Sequence, residues 1–312
     1  MFFLHLMENK KKIQYFFIML KGMAMGAADV VPGVSGGTIA FISGIYEELI
    51  TSINSIDFSL IKTLRKEGFK SFWTQMNGNF LLALFLGIII SVVSLAKFIS
   101  WLLENQPILL WSFFFGLVLA SIIIVGKAIE KWNFRTILML IIGALIAYYI
   151  TQLPPSENTT SLPFLFLSGA LAICAMILPG ISGAFILVLL GSYKIILDAV
   201  HERDLKIVAT VGLGAIFGLL SFAKLLKWMF NHYKNLTLAI LTGFIIGSLN
   251  KIWPWKKVLE TKIFDDKIIP IKEQNISPWA YEGDHHLMYA IILGLIGFSF
   301  IFILEKAASK KQ

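Results

Sequence analysis

Apolar residues run along this chain in stretches of about 17 to 24 positions separated by short polar segments, the length of helices that cross a bilayer core of about 30 Å. Strands of an outer-membrane barrel would instead alternate apolar and polar residues over short segments. The pattern predicts spans at about 80–103, 108–127, 136–151, 207–230, 236–250 and 287–304. Two further apolar stretches, 13–50 and 162–199, are interrupted midway by a Pro-Gly pair, Pro32 and Gly33 in the first and Pro179 and Gly180 in the second. Proline removes a backbone donor and clashes with the preceding turn, so each stretch is predicted to be a helical hairpin broken at its middle. Halves of this length allow such a hairpin either to re-enter or to span fully.

The two broken stretches are copies of one another. Gly22 to Leu49 reads GMAMGAADVVPGVSGGTIAFISGIYEEL and Gly169 to Ile196 reads GALAICAMILPGISGAFILVLLGSYKII, matching at one constant offset, the hairpin offset, that carries Pro32 onto Pro179. Leu86 to Ser121 likewise matches Leu213 to Ser248 at a second, span offset that carries Lys97 onto Lys224. The span offset is the shorter of the two, which places extra chain between Ile50 and Asn79, read as a loop carrying Lys62, Arg65, Lys66 and Lys70. The predicted architecture is an all-α polytopic membrane protein. Residues 1–151 and 162–312 form two repeats, each a Pro-Gly-broken hairpin plus three transmembrane helices, within one integral membrane domain. A hairpin begins and ends on the same side, so three further crossings start the second repeat opposite the first. The repeats are therefore predicted to have inverted topology.

Composition agrees with this class: 57% of residues are hydrophobic, 15% are charged, and the mean hydropathy is +0.78. The net charge of +8 comes from lysines flanking apolar runs, which anchor and orient helices, so no nucleic-acid partner is expected. The amino terminus, the 51–79 segment, Lys127 to Arg135, Lys224 to Lys234 and Lys306 to Lys311 are basic, whereas Gln152 to Ser161 has neither Lys nor Arg, and Lys251 to His286 is read as a long outer loop of mixed charge. The positive-inside rule then places both termini in the cytoplasm. Lys10, Lys11 and Lys12 before an apolar stretch imitate a signal peptide, but cleavage near Ala27 would cut the repeated motif and Lys21 interrupts the apolar stretch early. Trp101, Trp111, Trp228, Trp253 and Trp255 fall near predicted span ends, as in an aromatic belt. Cys174 is the sole cysteine, and Asp284, His285 and His286 lack further ligands, so no disulfide, metal or cofactor is expected.

Helix breaks at membrane depth free backbone groups that only protein or a water-filled cavity can cover, and in transporters they mark binding sites. In PGVSGGT a new half-helix is predicted after the break, with Ser35 or Thr38 near its cap and Gly36 and Gly37 presenting N–H groups. PGISGA repeats this with Ser182 and Gly183. Brought together, two such helix starts would cradle a phosphate or carboxylate. Close helix packing is the competing explanation for the glycines. Asp29 is the one acid well inside either hairpin, its counterpart being Met176; it is a candidate first for capping the break and second for coupling to a proton or sodium. Lys97 and Lys224 occupy matched positions, either reaching to the interface or attracting an anionic head group. Glu47 and Glu48 have no acidic counterparts and are read as interfacial.

The run KGMAMGAADVVPGVSGGTIAFISGIYEELI, followed by PGISGAFILVLLGSY, resembles the bacterial polyprenyl-phosphate transporter family (PopT) over nearly the whole chain. The resemblance implies a translocase of the bacterial plasma (inner) membrane that returns undecaprenyl phosphate, or a similar polyprenyl phosphate, from the outer to the inner leaflet, as a monomer or homodimer. Asp29, Pro32, Gly33, Ser35, Gly36, Gly37 and Thr38 match its motif. Undecaprenyl-diphosphate phosphatases have a similar loop, PG-x-S-R-S, but Gly36 and Gly183 stand here where the arginine would be. That enzyme, and a transporter of ions or small anions, remain alternatives.

Overall fold

The computed structural model describes residues 2–31, 34–156, 159–264 and 267–309. Pro32 and Gly33 lie outside these residues. In chain order the first half contains α1 (Phe2–Val30), α2 (Gly36–Ile42), α3 (Tyr46–Asn54), α4 (Phe58–Gln75), α5 (Gly78–Asn105), α6 (Pro107–Lys127) and α7 (Phe134–Gln152). The second half contains α8 (Leu162–Ile177), α9 (Gly183–Leu189), α10 (Tyr193–His201), α11 (Leu205–Ser248), the strands β1 (Lys256–Phe264) and β2 (Lys267–Asn275), and α12 (Leu287–Ser309). The protein is a helical, polytopic membrane protein. Among the described residues four segments are long and apolar enough to cross a membrane: Gly78–Leu95, Pro107–Lys127, Phe134–Gln152 and Leu205–Ile252.

Element boundaries follow the sequence offsets. Gly183 and Tyr193, which open α9 and α10, are the hairpin-offset counterparts of Gly36 and Tyr46, which open α2 and α3. α11 is two helices in one, because Tyr233 leaves helical geometry (φ −138°, ψ 44°). Gln106, its span-offset counterpart between α5 and α6, has nearly the same conformation (φ −139°, ψ 49°). The helix break is thus conformationally equal in both halves although Gln and Tyr share no chemistry. The outgoing limbs of the hairpins are short: α9 meets α10 at 106°, and seven helical residues rise only about 10 Å. α9 by itself is far too short to cross the bilayer.

Glycines set the packing. Gly22 of α1 lies against the Leu84 carbonyl of α5, and in the second half Gly169 of α8 lies against the Val211 carbonyl of α11. These partners are related by the same two offsets. The main packing partner of the third span of each half lies in the other half. Gly143 of α7 presses on Ile240 of α11, and Gly297 of α12 presses on Phe113 of α6. Phe113 and Ile240 are counterparts by the span offset, and Gly143 and Gly297 hold the same place on the two third spans, so the exchange is reciprocal. Gly243 and Gly247 on α11, small residues four apart, lie against the Leu140 and Ala144 carbonyls of α7, the spacing that lets membrane helices approach backbone to backbone. Outward-facing Phe85, Ile89, Val93, Leu145 and Leu295 are exposed and apolar, as lipid contact requires.

Gly143→Leu is expected to cost about 1–3 kcal/mol by overpacking against Ile240. Gly126→Leu, where a side chain meets open space, is expected to leave the melting temperature in detergent unchanged. Equal melting of the two variants would contradict the exchanged packing.

Two segments differ from the sequence expectation. The stretch read as a loop over 51–79 is largely α4, begun by Asp57, whose carboxylate accepts the Ser59 and Leu60 N–H groups, and bent at Gly68 (φ 83°). It accounts for the extra chain: α4 is inserted between the end of α3 at Asn54 and the start of α5 at Gly78, whereas α10 ends at His201 and α11 begins almost at once at Leu205. Its Lys62, Arg65, Lys66 and Lys70 obscured an apolar set of Leu60, Ile61 and Leu64 at helical spacing. The second is 251–286, which folds as an antiparallel hairpin of β1 and β2. Trp253 and Trp255 pack beneath it, donating to the Ile276 and His285 carbonyls, and Trp255 is buried. Trp255 therefore serves a local core and not a membrane belt.

Candidate functional site

The two broken hairpins meet at their breaks. α2 opens with Ser35 as an extended N-cap whose hydroxyl accepts the Gly37 N–H at 3.1 Å. The same hydroxyl points its proton at the end of α8, with the Met176 and Leu178 carbonyls at 3.0 and 3.2 Å. One turn on, Thr38 Oγ1 accepts the Gly180 N–H at 2.9 Å. Helix termini leave N–H and C=O groups without partners. Here side chains of the first hairpin satisfy the free carbonyls and a free N–H of the second, across 141 to 143 residues of sequence. Ser35 and Thr38 are fully buried in this contact.

Close approach explains the glycines. A Cβ on Gly37 would collide with the Ile177 and Met176 carbonyl oxygens, and one on Gly36 would collide with the Asp29 carboxylate. Gly180, at φ +92°, sits in the left-handed region that favours glycine. Asp29 Oδ1 accepts the Gly36 N–H at 2.7 Å, so this acid caps the half-helix of its own hairpin. Its other oxygen has no hydrogen-bond partner among the described residues.

The second copy is built differently. Ser182 accepts the Phe185 N–H at 3.4 Å, a long bond, and makes no hydrogen bond to the first hairpin among the described residues. By the hairpin offset Phe185 takes the place of Thr38, Met176 that of Asp29 and Ala184 that of Gly37, so the polar groups of the junction come mainly from the first hairpin. Gly183 makes room for the Ala172 carbonyl.

Sequence reasoning predicted that the Gly36 and Gly37 N–H groups present themselves to a ligand. In this structure both are bonded, to Asp29 and Ser35, because a buried donor without water must find an internal acceptor. Pro179 lies in the break of the second hairpin; Pro32 and Gly33 fall outside the described residues. Lys97 and Lys224 are exposed on α5 and α11 and reach the junction through no described hydrogen bond or ion pair. Lys224 instead lies near Asp57 at the start of α4. The Ser59 hydroxyl and N–H, chiefly, and also the Lys224 charge hold the Asp57 carboxyl below its usual range. A cleft of about 280 Å³ lies between α3 and the α4–α5 corner, lined by Glu47, Glu48, Thr51, Ser52, Ser55, Gln75 and Asn77. It is separate from the junction.

One residue was read in the sequence only as an interruption. Lys21 donates to the Ser43 carbonyl at 2.7 Å, closing the carboxyl end of α2 with a charge from α1. α2 is thus capped at both ends by charged groups of α1, Asp29 and Lys21.

Apolar spans, exchanged helices and two facing helix breaks joined by buried hydroxyls define a polytopic membrane protein of the broken-helix kind. Residues 25–268 match the model of the VCA0040-like, undecaprenyl phosphate translocase-like family, and the chain belongs to that family. It is 45% identical over 305 residues to a polyprenyl-phosphate transporter of Vibrio cholerae, covering 96% of this chain and 99% of that protein. It is 34% identical over 256 residues to a polyprenyl-phosphate transporter of Staphylococcus aureus, covering 75% of this chain and 85% of that protein. No solved structure matches the chain.

Proposed function

We propose that this protein translocates a polyprenyl phosphate, undecaprenyl phosphate or a near relative, from the outer to the inner leaflet of a bacterial plasma membrane, returning the lipid carrier to the cytoplasmic side. The observation that carries this reading is the buried polar junction between two broken hairpins in a chain of this family. A phosphate head needs several donors and no water, while the polyprenyl tail can stay in lipid throughout. The junction holds suitable donors within one small volume: the Gly36, Gly37 and Gly180 N–H groups and the Ser35 and Thr38 hydroxyls.

In the closed arrangement these donors have internal acceptors, and Asp29 is the informative one. Its carboxylate takes the Gly36 N–H as a phosphate oxygen would. Binding of the head group then means displacing Asp29, and protonation of that carboxylate, or sodium taken up by it, would favour release. α2 and α9 are seven residues each, so their dipoles contribute little and the individual donors carry the recognition. Inverted repeats would present the junction to each leaflet in turn, with both termini cytoplasmic.

Transport is favoured over hydrolysis by the same residues. Cleaving a phosphoryl bond calls for a cation that follows the charge of the transferring group, usually arginine. Gly36 and Gly183 occupy the corresponding positions, and Gly36 has no room for a side chain beside Asp29. Purified protein in liposomes with undecaprenyl phosphate placed in one leaflet is expected to speed its equilibration and to release no phosphate from the diphosphate. Phosphate release without equilibration would reverse the assignment.

A further inference from the structure

The segment 251–286 leaves a charged cluster that the junction does not use. Lys251, at the end of the short 3-10 helix after α11, and Lys256, the first residue of β1, both point at one oxygen of Glu273 on β2, at 3.4 and 3.3 Å. Lys256 also donates to the Lys251 carbonyl at 2.8 Å and lies 4.4 Å over the Trp111 ring. Its side chain is 8% exposed, so it is held on every side, whereas Lys251 is 25% exposed. Beyond Glu273, the Lys251 ammonium has only the face of Phe185, 5.2 Å from the ring centroid, and makes no other hydrogen bond among the described residues.

A clasp that merely fastened the strands to the helices would need one cation for one carboxylate. Two ammonium groups on a single carboxylate oxygen leave a net positive charge, and the cost is visible at Lys256. Burial holds its ammonium down at about 8, the Glu273 charge opposes this, and the Lys251 charge adds to the lowering. The surplus charge also has a definite position. Phe185 belongs to α9, and its N–H is the one that Ser182 caps, so the Lys251 ammonium stands beside the first turn of α9, just past the break of the second hairpin. The segment before α8 sits on the far end of the same helix, through the Ser156 N–H and the Leu189 carbonyl.

Resting on the proposed function, we propose that Lys251 is an anion-receiving subsite on the outer approach to the junction, taking the phosphate head of the lipid before it reaches Ser35 and Thr38. Glu273 and Lys256 hold Lys251 in place, and Phe185 fixes its direction. The ligand class is a phosphate monoester on an apolar chain. Free phosphate offers the same oxygens without the chain, and the two sources are separable by experiment.

The test is equilibrium binding of farnesyl phosphate, farnesol and inorganic phosphate to the purified full-length protein in detergent, for wild type, Lys251→Gln and Lys251→Arg. The transbilayer assay is run on the same preparations. Lys251→Gln is expected to weaken farnesyl phosphate binding about five- to tenfold, the scale of one partly exposed charge-assisted hydrogen bond, and to raise the half-saturating lipid density by a similar factor. Lys251→Arg should restore most of the binding, and farnesol should bind alike to all three proteins. Inorganic phosphate competing at the same concentration as farnesyl phosphate would overturn the lipid assignment. Lys251→Gln indistinguishable from a wild type that transports would overturn the subsite alone. A wild type that does not transport would instead overturn the function on which the subsite rests.

Discussion

Gly37→Val is expected to bring transport down to the protein-free background while the protein still inserts and purifies. The side chain would enter the space of the Ile177 and Met176 carbonyl oxygens, and neither can retreat without unwinding the end of α8. Overpacking of this kind costs about 1–3 kcal/mol, and here the strain falls on the contact that joins the hairpins. The Ser35 hydroxyl would be pushed from Met176 and Leu178 and Thr38 from Gly180, so the loss should exceed that of any single polar deletion. Gly212→Val on α11, where a side chain meets open space, is the control and is expected to transport normally. Normal transport by Gly37→Val would mean that the hairpins need not touch.

The second large effect is expected at Asp29. Asn keeps an oxygen for the Gly36 N–H but cannot ionise, so Asp29→Asn should fold with a nearly unchanged melting temperature. Its transport is expected to lose its dependence on pH or on sodium, measured as initial rate against an imposed gradient of each ion. Asp29→Ala also removes the acceptor and should lower stability by about 1–3 kcal/mol, the cost of leaving a buried donor unpaired. If Asp29→Asn responds to both gradients as the wild type does, Asp29 is a cap and nothing more.

The comparison with the sequence is clearest where chemistry repeats. Shared prolines, glycines and serines at one offset made the broken hairpins legible, and the second offset carried through to the conformation of Gln106 and Tyr233. The third relation, between Gly143 and Gly297, was hidden because lipid-facing positions accept any large apolar residue and diverge freely. Packing then shows what similarity does not, that each third span crosses to the other half.

At the site, sequence identified the residues but not their partners. That Ser35 would cap α2 follows from its place before Gly36. That its proton would serve carbonyls of the other hairpin does not, since nothing local to PGVSGGT encodes Met176 or Leu178. Asp29 was legible as a cap before it was legible as a coupling acid, and the structure shows the capping geometry directly. The Lys251 cluster was obscured by the mixed charge of 251–286, because pairing β1 with β2 is what sets Lys256 beside Glu273.

The central claim is that the junction of the two hairpins handles the phosphate head. The most direct test is the transbilayer equilibration of undecaprenyl phosphate by the double variant Ser35→Ala, Thr38→Val beside the wild type. Each change leaves one buried N–H, that of Gly37 or of Gly180, without its acceptor at a cost of about 1–3 kcal/mol, so folding of the variant is verified by its melting temperature in detergent. The wild type is expected to accelerate equilibration clearly, and the folded variant to do so at a rate at least about tenfold lower, the combined scale of the two lost interactions. A folded double variant equilibrating the lipid at the wild-type rate would contradict the claim.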